Sequence, residues 1–336
     1  MRLRGRPDPA QLEADRPGPE VRVGSLRLRS PVLTASGTAG YGAELAGYFD
    51  LATLGAVVVK SVSSEPWGGN PAPRLWPLDN GAGMLNSVGL QNHGVERWLG
   101  EELPPLARTG AAVVASIWGF TADAYRSAAG ALARAVRRSG PGSPPRSIVA
   151  VEANISCPNV EDRRQMFAHS AEGVSAAVGA AAAGLNGVLP LWAKLSPNVT
   201  DLPPLAGVAH DSGAEAVTLV NTLMGMAIDP ASGRFRLGAG GGGLSGPGLH
   251  PVAVRAVYEC RQAWPGLPIV GVGGVGSGIE AAELLSAGAD AVQVGTATFA
   301  DPRAPRRVLQ ELVSWMQRAG IDSIDALKGR SAHDHR

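Results

Sequence analysis

"VEANISCPNV", residues 151–160, carries the pattern on which the fold turns. Val151, Ala153 and Ile155 alternate with polar residues as in a strand, and the apolar run reaches back to 148. Pro158 disfavours helix at the residue before it, so the strand runs out into a loop at that point. Cys157, one of two cysteines in the chain, stands at this exit with Asn154 and Asn159 on either side. A helical pattern follows, which makes the stretch the hinge of one β-to-α unit.

Seven further apolar runs flank it in the same manner: "PVLTAS" (31–36), "AVVVKS" (56–61), "AAVVASIWG" (111–119), "LWAKLS" (191–196), "AVTLVNT" (216–222), "PIVGVGGV" (268–275) and "AVQVGTATF" (291–299). Most are apolar throughout, as strands buried on both faces must be. Between them lie amphipathic patterns such as "TADAYRSAAGALARAVRRSG", "HPVAVRAVYECRQAW" and "GIEAAELLSAGA", with a last one at "PRRVLQELVSWMQRAG". Eight β-to-α units without a break in composition predict an α/β fold of one closed (β/α)8 barrel, the TIM-barrel class. A doubly wound open sheet is the alternative, but no G-x-G-x-x-G follows the first strand. "VRVGSLRLRS" (21–30) predicts an N-terminal β-hairpin. The long segments after the second strand (62–93) and the sixth (223–249) read as inserted loops over the C-terminal face. Within the latter, "GAGGGGLSGPG" (238–248) reads as a mobile or close-approach loop. The expected boundaries are a flexible tail at 1–20, the barrel at 21–327 and a second tail at 328–336.

Composition narrows the classes of function. A formal net charge of +1 lacks the basic surplus of a nucleic-acid footprint. No apolar run approaches the roughly 18–20 residues that cross a bilayer. The charged, proline-rich "MRLRGRPDPAQLEADRPGPE" is not a secretory signal, so a cytoplasmic location is expected. Two cysteines, Cys157 and Cys260, are too few for an iron–sulfur cluster, which takes about four ligands.

Active sites of such barrels lie at the C-terminal ends of the strands. Those ends here carry Ser36, Lys60, Asn154, Lys194, Asn221, Gly273 with Gly274, and Gly295 with Thr296. Lysines rarely end apolar strands without an anion to hold them, so Lys60 and Lys194 point to an anionic ligand; a salt-bridged lysine is the plainer alternative for either. The glycines after strands seven and eight fit a phosphate, held by backbone N–H groups and a helix N-terminus. Asn86, Asn154, Asn159 and Asn221, with Thr222, suit a ring with alternating N–H and C=O edges, although turn-forming asparagines read the same way. A loop cysteine among cations and amides has a usable thiol base, with an intrinsic pKa of about 8.5. Cys260, in a helical pattern, reads as structural. His93, His169, His210 and His250 form no recognisable site, and no metal site is expected.

Taken together, "NISCPN", "VVKS" followed by "GNPAPR", "GMLNSVGLQN", "KLSPNVTD", "LVNTLMGMAID", "GGGLSGP", "GVGGV" and "VGTATF" resemble the dihydroorotate dehydrogenases, most closely the catalytic subunit of the NAD-linked two-subunit type. The resemblance runs from about residue 21 to 327. It implies an FMN-binding barrel that oxidises (S)-dihydroorotate to orotate in pyrimidine biosynthesis, with Cys157 as the general base and hydride transfer to flavin N5. By the same resemblance, Lys60 and the segment Asn86, Ser87, Val88, Gly89 and Leu90 bind substrate, together with Asn154, Asn159, Asn221 and Thr222. FMN would be met by Ser36, Lys60, Ser61, Asn154 and Lys194. Val220, Gly246, Gly273, Gly274, Gly295 and Thr296 would complete its site. Ser116 departs from the family, which places an asparagine there against the flavin. The resemblance also implies a homodimer core and, if NAD is the final acceptor, an iron–sulfur and FAD-bearing electron-transfer subunit. Fumarate is the other acceptor of the cysteine-base class. A barrel dehydrogenase of another dihydropyrimidine, or a non-redox phosphate-binding barrel subunit, are the rival readings.

Overall fold

All eight apolar runs become parallel strands of one sheet. A computed structural model describes residues 18–78, 81, 83–156 and 166–328. The hairpin comes first, β1 (Val21–Val23) against β2 (Leu26–Leu28). Then follow β3 (Val32–Thr34) and β4 (Val57–Val58), the short β5 (Leu75–Pro77) and β6 (Met84–Asn86), and the barrel strands β7 (Val113–Ile117), β8 (Ile148–Asn154), β9 (Leu191–Lys194) and β10 (Ala216–Leu219). After β11 (Leu223–Met226) and β12 (Gly241–Ser245), β13 (Ile269–Val272) and β14 (Ala291–Val294) complete the set. The large sheet runs β3-β14-β13-β10-β9-β8-β7-β4. Its two ends meet where the Gly55 N–H donates to the Val32 carbonyl (2.8 Å) and the Thr34 N–H to that of Ala56 (3.3 Å), which closes the barrel.

Outside the barrel lie α1 (Leu103–Ala107), which ends a helical stretch 95–107, then α2 (Ala122–Arg138), α3 (Ala171–Leu185) and α4 (Pro203–Asp211). They continue with α5 (His250–Ala263), α6 (Gly278–Ala287) and α7 (Ala304–Arg318). Side-chain caps start three of them: Thr121, Ser170 and Ser277 accept from the N–H groups of Ala124, Gly173 and Glu280. The expectation of eight full β-to-α units needs one correction. The first strand is followed only by two 3-10 turns, Glu44–Gly47 and Leu51–Thr53.

The two insertions are not separate loops. β5 and β6 from the first pair with β12 and β11 from the second in a four-stranded antiparallel sheet. Five residues of the glycine-rich stretch read as a loop, Gly241–Ser245, are therefore strand β12, with the close approach that reading allowed. A Cβ on Gly242 would lie 2.4 Å from the Asn86 carbonyl oxygen, and one on Gly243 would lie 2.1 Å from Thr222 Oγ1. At the opposite end of the barrel the hairpin seals the core with Val23 and Leu28. Its Ser25 donates through N–H and Oγ to the carboxylate of Glu215, just before β10.

Successive strand residues point to opposite faces, so the residue two before a mouth residue lies one layer deeper in the barrel. Below Asn154 this brings in Glu152, fully buried. Its Oε2 accepts from Thr218 Oγ1 (2.9 Å) and Gln293 Nε2 (2.7 Å), and its Oε1 lies 3.9 Å from Lys194 Nζ. A polar layer thus underlies the open end. The expected tails, apart from residues 18–20 and 328, lie outside the described residues.

Candidate active site

The C-terminal ends of the barrel strands surround a cavity of about 270 Å³, roofed on one side by the four-stranded sheet. From the strand ends, Ser36, Lys60, Ser61, Asn154, Lys194 and Val220 line it. Asn221, Thr222 and Gly246 follow, then Gly273, Gly274, Gly295 and Thr296. The insertion contributes Asn86, Val88, Gly89 and Leu90, while Ser87 does not line it. Ser87 is turned into the structure, its N–H donating to the Arg74 carbonyl at 2.8 Å. Cys157 and Asn159 lie outside the described residues; Ser156, the last described residue before them, is on the cavity wall.

Asn154 is the hub of the polar wall. Its Oδ1 accepts from Asn221 Nδ2 (3.1 Å) and from the Ser156 N–H (3.3 Å), its Nδ2 donates to Ser61 Oγ (3.3 Å), and Tyr125 OH donates to its carbonyl (2.7 Å). Ser61 Oγ also lies 3.1 Å from Ser36 Oγ and 2.8 Å from Ser116 Oγ. Ser116 is fully buried and reaches the cavity only through Ser61. On the other side Asn221 Oδ1 accepts from the Thr222 N–H at 2.9 Å, and Asn86 Nδ2 donates to the Gly243 carbonyl at 3.2 Å.

Two lysines line this cavity, and no aspartate or glutamate does among the described residues. Lys194, nearly buried, makes only a 3.4 Å bond to Gln293 Oε1 and a loose approach to Glu152, so the salt-bridged alternative holds only in part. Lys60 donates to the Gln91 carbonyl and sits 5.4 Å from the centre of the Tyr41 ring. Burial lowers its pKa to about 8, with the nearby Arg74 charge adding to the effect. Arg74 is itself held by the carbonyls of Asn70 (2.6 Å) and Gly68 (3.1 Å) and by the Gln91 side chain. Tyr41, Arg74 and Gln91 escaped sequence reasoning, because their contacts with Lys60 cross long loops. Glu152 could have been found: it is a carboxylate inside an apolar run.

The far wall fits a phosphate. Gly274 and Thr296 line the cavity, and their backbone N–H groups have no hydrogen-bond acceptor among the described residues, so each is free to donate to an anion. Leu75, Met84, Leu249, Val272 and Phe299 give the cavity its apolar lining. Cys260 is buried away from the site, and burial pushes its thiol up to about 12, in keeping with a structural role. Among the described residues no group of three or more His, Cys, Asp or Glu side chains could hold a metal, and no helix is long and apolar enough to cross a membrane.

Fold and site together define a (β/α)8 barrel whose mouth holds a cleft lined by two lysines and, among the described residues, no carboxylate. The family model for dihydroorotate dehydrogenase matches residues 20–316. A Solibacter usitatus protein named putative dihydroorotate dehydrogenase A (fumarate) is 44% identical over 308 residues, covering 90% of this chain and 95% of that protein. Proteins named dihydroorotate dehydrogenase B (NAD(+)), catalytic subunit, are 45% identical in Desulforudis audaxviator (93% of this chain, 97% of that one) and 41% identical in Citrifermentans bemidjiense (94% and 98%). The crystal structure of the Eimeria tenella enzyme in complex with ferulenol shares the fold, with a TM-score of 0.74 at 24% identity over 97% of this chain and 96% of that one. The chain belongs to the dihydroorotate dehydrogenase family, and so to the oxidoreductases.

Proposed function

We propose that this chain oxidises dihydroorotate to orotate in pyrimidine biosynthesis, with FMN as its resident cofactor and Cys157 as its general base. The observation that carries the reading is a cleft lined by two lysines and no carboxylate among the described residues, with amides on one wall and unpartnered backbone N–H groups on another. A planar heterocycle with a carboxylate and a phosphorylated cofactor together meet those demands.

When bound, FMN supplies the acceptor for a hydride, at its N5. The chain's own groups do the rest. Lys60 holds the substrate carboxylate, which pairs a part-buried ammonium with an anion. Asn86, Asn154, Asn221 and Thr222 orient the ring through its N–H and C=O edges, and Asn159 joins them by the family resemblance. Lys194 keeps a cation in the floor of the cleft, where it stabilises negative charge. Gly274 and Thr296 bind the phosphate. The Cys157 thiolate takes the proton from the carbon next to the ring carbonyl.

Relatives named as catalytic subunits support a separate partner that carries electrons onward, and the chain's two cysteines leave any iron–sulfur cluster to that partner. The fumarate in the name of the Solibacter relative supports the other acceptor; co-purification with a flavin- and iron-bearing protein separates the two. A homodimeric core and a cytoplasmic location complete the proposal. In the decisive test, Cys157→Ala keeps its flavin but loses most of the flavin reduction that dihydroorotate gives in the wild type. Undiminished reduction in that variant removes Cys157 as the base.

A further inference from the structure

His250 opens α5 directly behind the proposed phosphate seat, and it is buried. Its Nδ1 lies 2.8 Å from the Gly273 carbonyl oxygen, and its Nε2 lies 3.2 Å from Glu283 Oε2 on α6. A carbonyl accepts only, so Nδ1 carries the proton of the first contact. The Gly273 carbonyl and the Gly274 N–H belong to one trans peptide unit, in which they point in opposite directions. A ring that holds the carbonyl from behind therefore aims the Gly274 N–H away from itself. That N–H belongs to a residue of the cavity wall and has no acceptor among the described residues. The seating is tight: Gly274 has φ +67°, and a Cβ there would lie 2.6 Å from His250 Cβ and 2.9 Å from the Gly246 carbonyl oxygen.

We propose that His250, steadied by Glu283, is a positioning residue that fixes the Gly273–Gly274 peptide so that its N–H donates to the phosphate of the bound cofactor. The inference rests on the phosphate seat of the proposed function. It predicts an effect on the phosphate alone, which a general packing role would not produce. The full-length chain, freed of bound flavin, is titrated with FMN and with riboflavin, which lacks the phosphate. One hydrogen bond to a charged group lost or misaimed corresponds to about a tenfold change, so His250→Ala is expected to weaken FMN about tenfold and leave riboflavin unchanged. His250→Asn, whose amide nitrogen sits near the Nδ1 position, is expected to keep FMN affinity within about threefold of the wild type. Should the alanine variant fail to fold, His250→Gln, with its amide nearer the Nε2 position, is expected to give the alanine result. Equal weakening of FMN and riboflavin in the alanine or glutamine variant, or no weakening of FMN, overturns the inference while the seat stands. A wild type that binds FMN no tighter than riboflavin overturns the seat and the inference with it.

Discussion

Lys60 is held between the Tyr41 ring and the Gln91 carbonyl, where burial and then Arg74 bring its pKa from the ordinary 10.5 to about 8. The form that grips a carboxylate is the protonated one. Below about pH 8 the free site carries it already; above that pH, binding must take up a proton, so affinity falls as pH rises. Orotate binding, followed by titration from neutral pH upward, should therefore weaken by up to about tenfold per pH unit above that point. Lys60→Met should bind orotate poorly and show no such decline; a flat wild-type profile would separate Lys60 from the carboxylate. This residue was legible in the sequence because a lysine ending "VVV" contradicts its surroundings. Its partners were not. Gln91 and Tyr41 meet it across 31 and 19 residues of sequence, contacts that no local pattern encodes. His250 was passed over for the same reason, since Glu283 is 33 residues away.

Strand β12 shows the limit of local reading at the scale of elements. Glycine is depleted in strands, so "GAGGGG" reads as loop. What makes it strand is tertiary, because β12 lies so close to Asn86 and Thr222 that side chains do not fit. Gly242→Ala places a methyl 2.4 Å from the Asn86 carbonyl oxygen, a backbone atom that cannot step aside, and 2.7 Å from Leu237 Cδ1. Such overpacking costs about 1–3 kcal/mol and should prise β12 from β6. We expect a lower thermal midpoint and orotate binding weakened about tenfold, since 1.4 kcal/mol corresponds to that factor, with FMN binding retained. Wild-type orotate binding in this variant would show that the seam between the two insertions does not shape the substrate wall. The helices were far more legible: α2, α5 and α6 fall within the amphipathic patterns that predict them, and α7 begins one residue before its own.

At the scale of the whole molecule, the barrel follows from eight apolar runs whose spacing leaves room for a helix between most of them, and that much the residues announce. The first unit, which has only 3-10 turns, and the joining of two distant insertions into one sheet depend on packing that no single segment carries. The polar layer under the mouth is likewise a product of closure, drawing Glu152, Lys194, Thr218 and Gln293 from four strands. Removing the carboxylate leaves the buried Thr218 hydroxyl and Gln293 amide without their acceptor, at about 1–3 kcal/mol apiece, so Glu152→Ala should lower the unfolding free energy by about 2–6 kcal/mol and the denaturant midpoint with it. Stability unchanged in that variant would mean the layer does not carry the core. The function proposed for this barrel is to hold a carboxylate-bearing dihydropyrimidine against a flavin at its one open end. It is tested most directly by mixing the flavin-loaded protein, without oxygen, with dihydroorotate and separately with dihydrouracil, which lacks the carboxylate. The yellow flavin absorbance should bleach with dihydroorotate and persist with dihydrouracil; bleaching by both alike, or by neither, would contradict it.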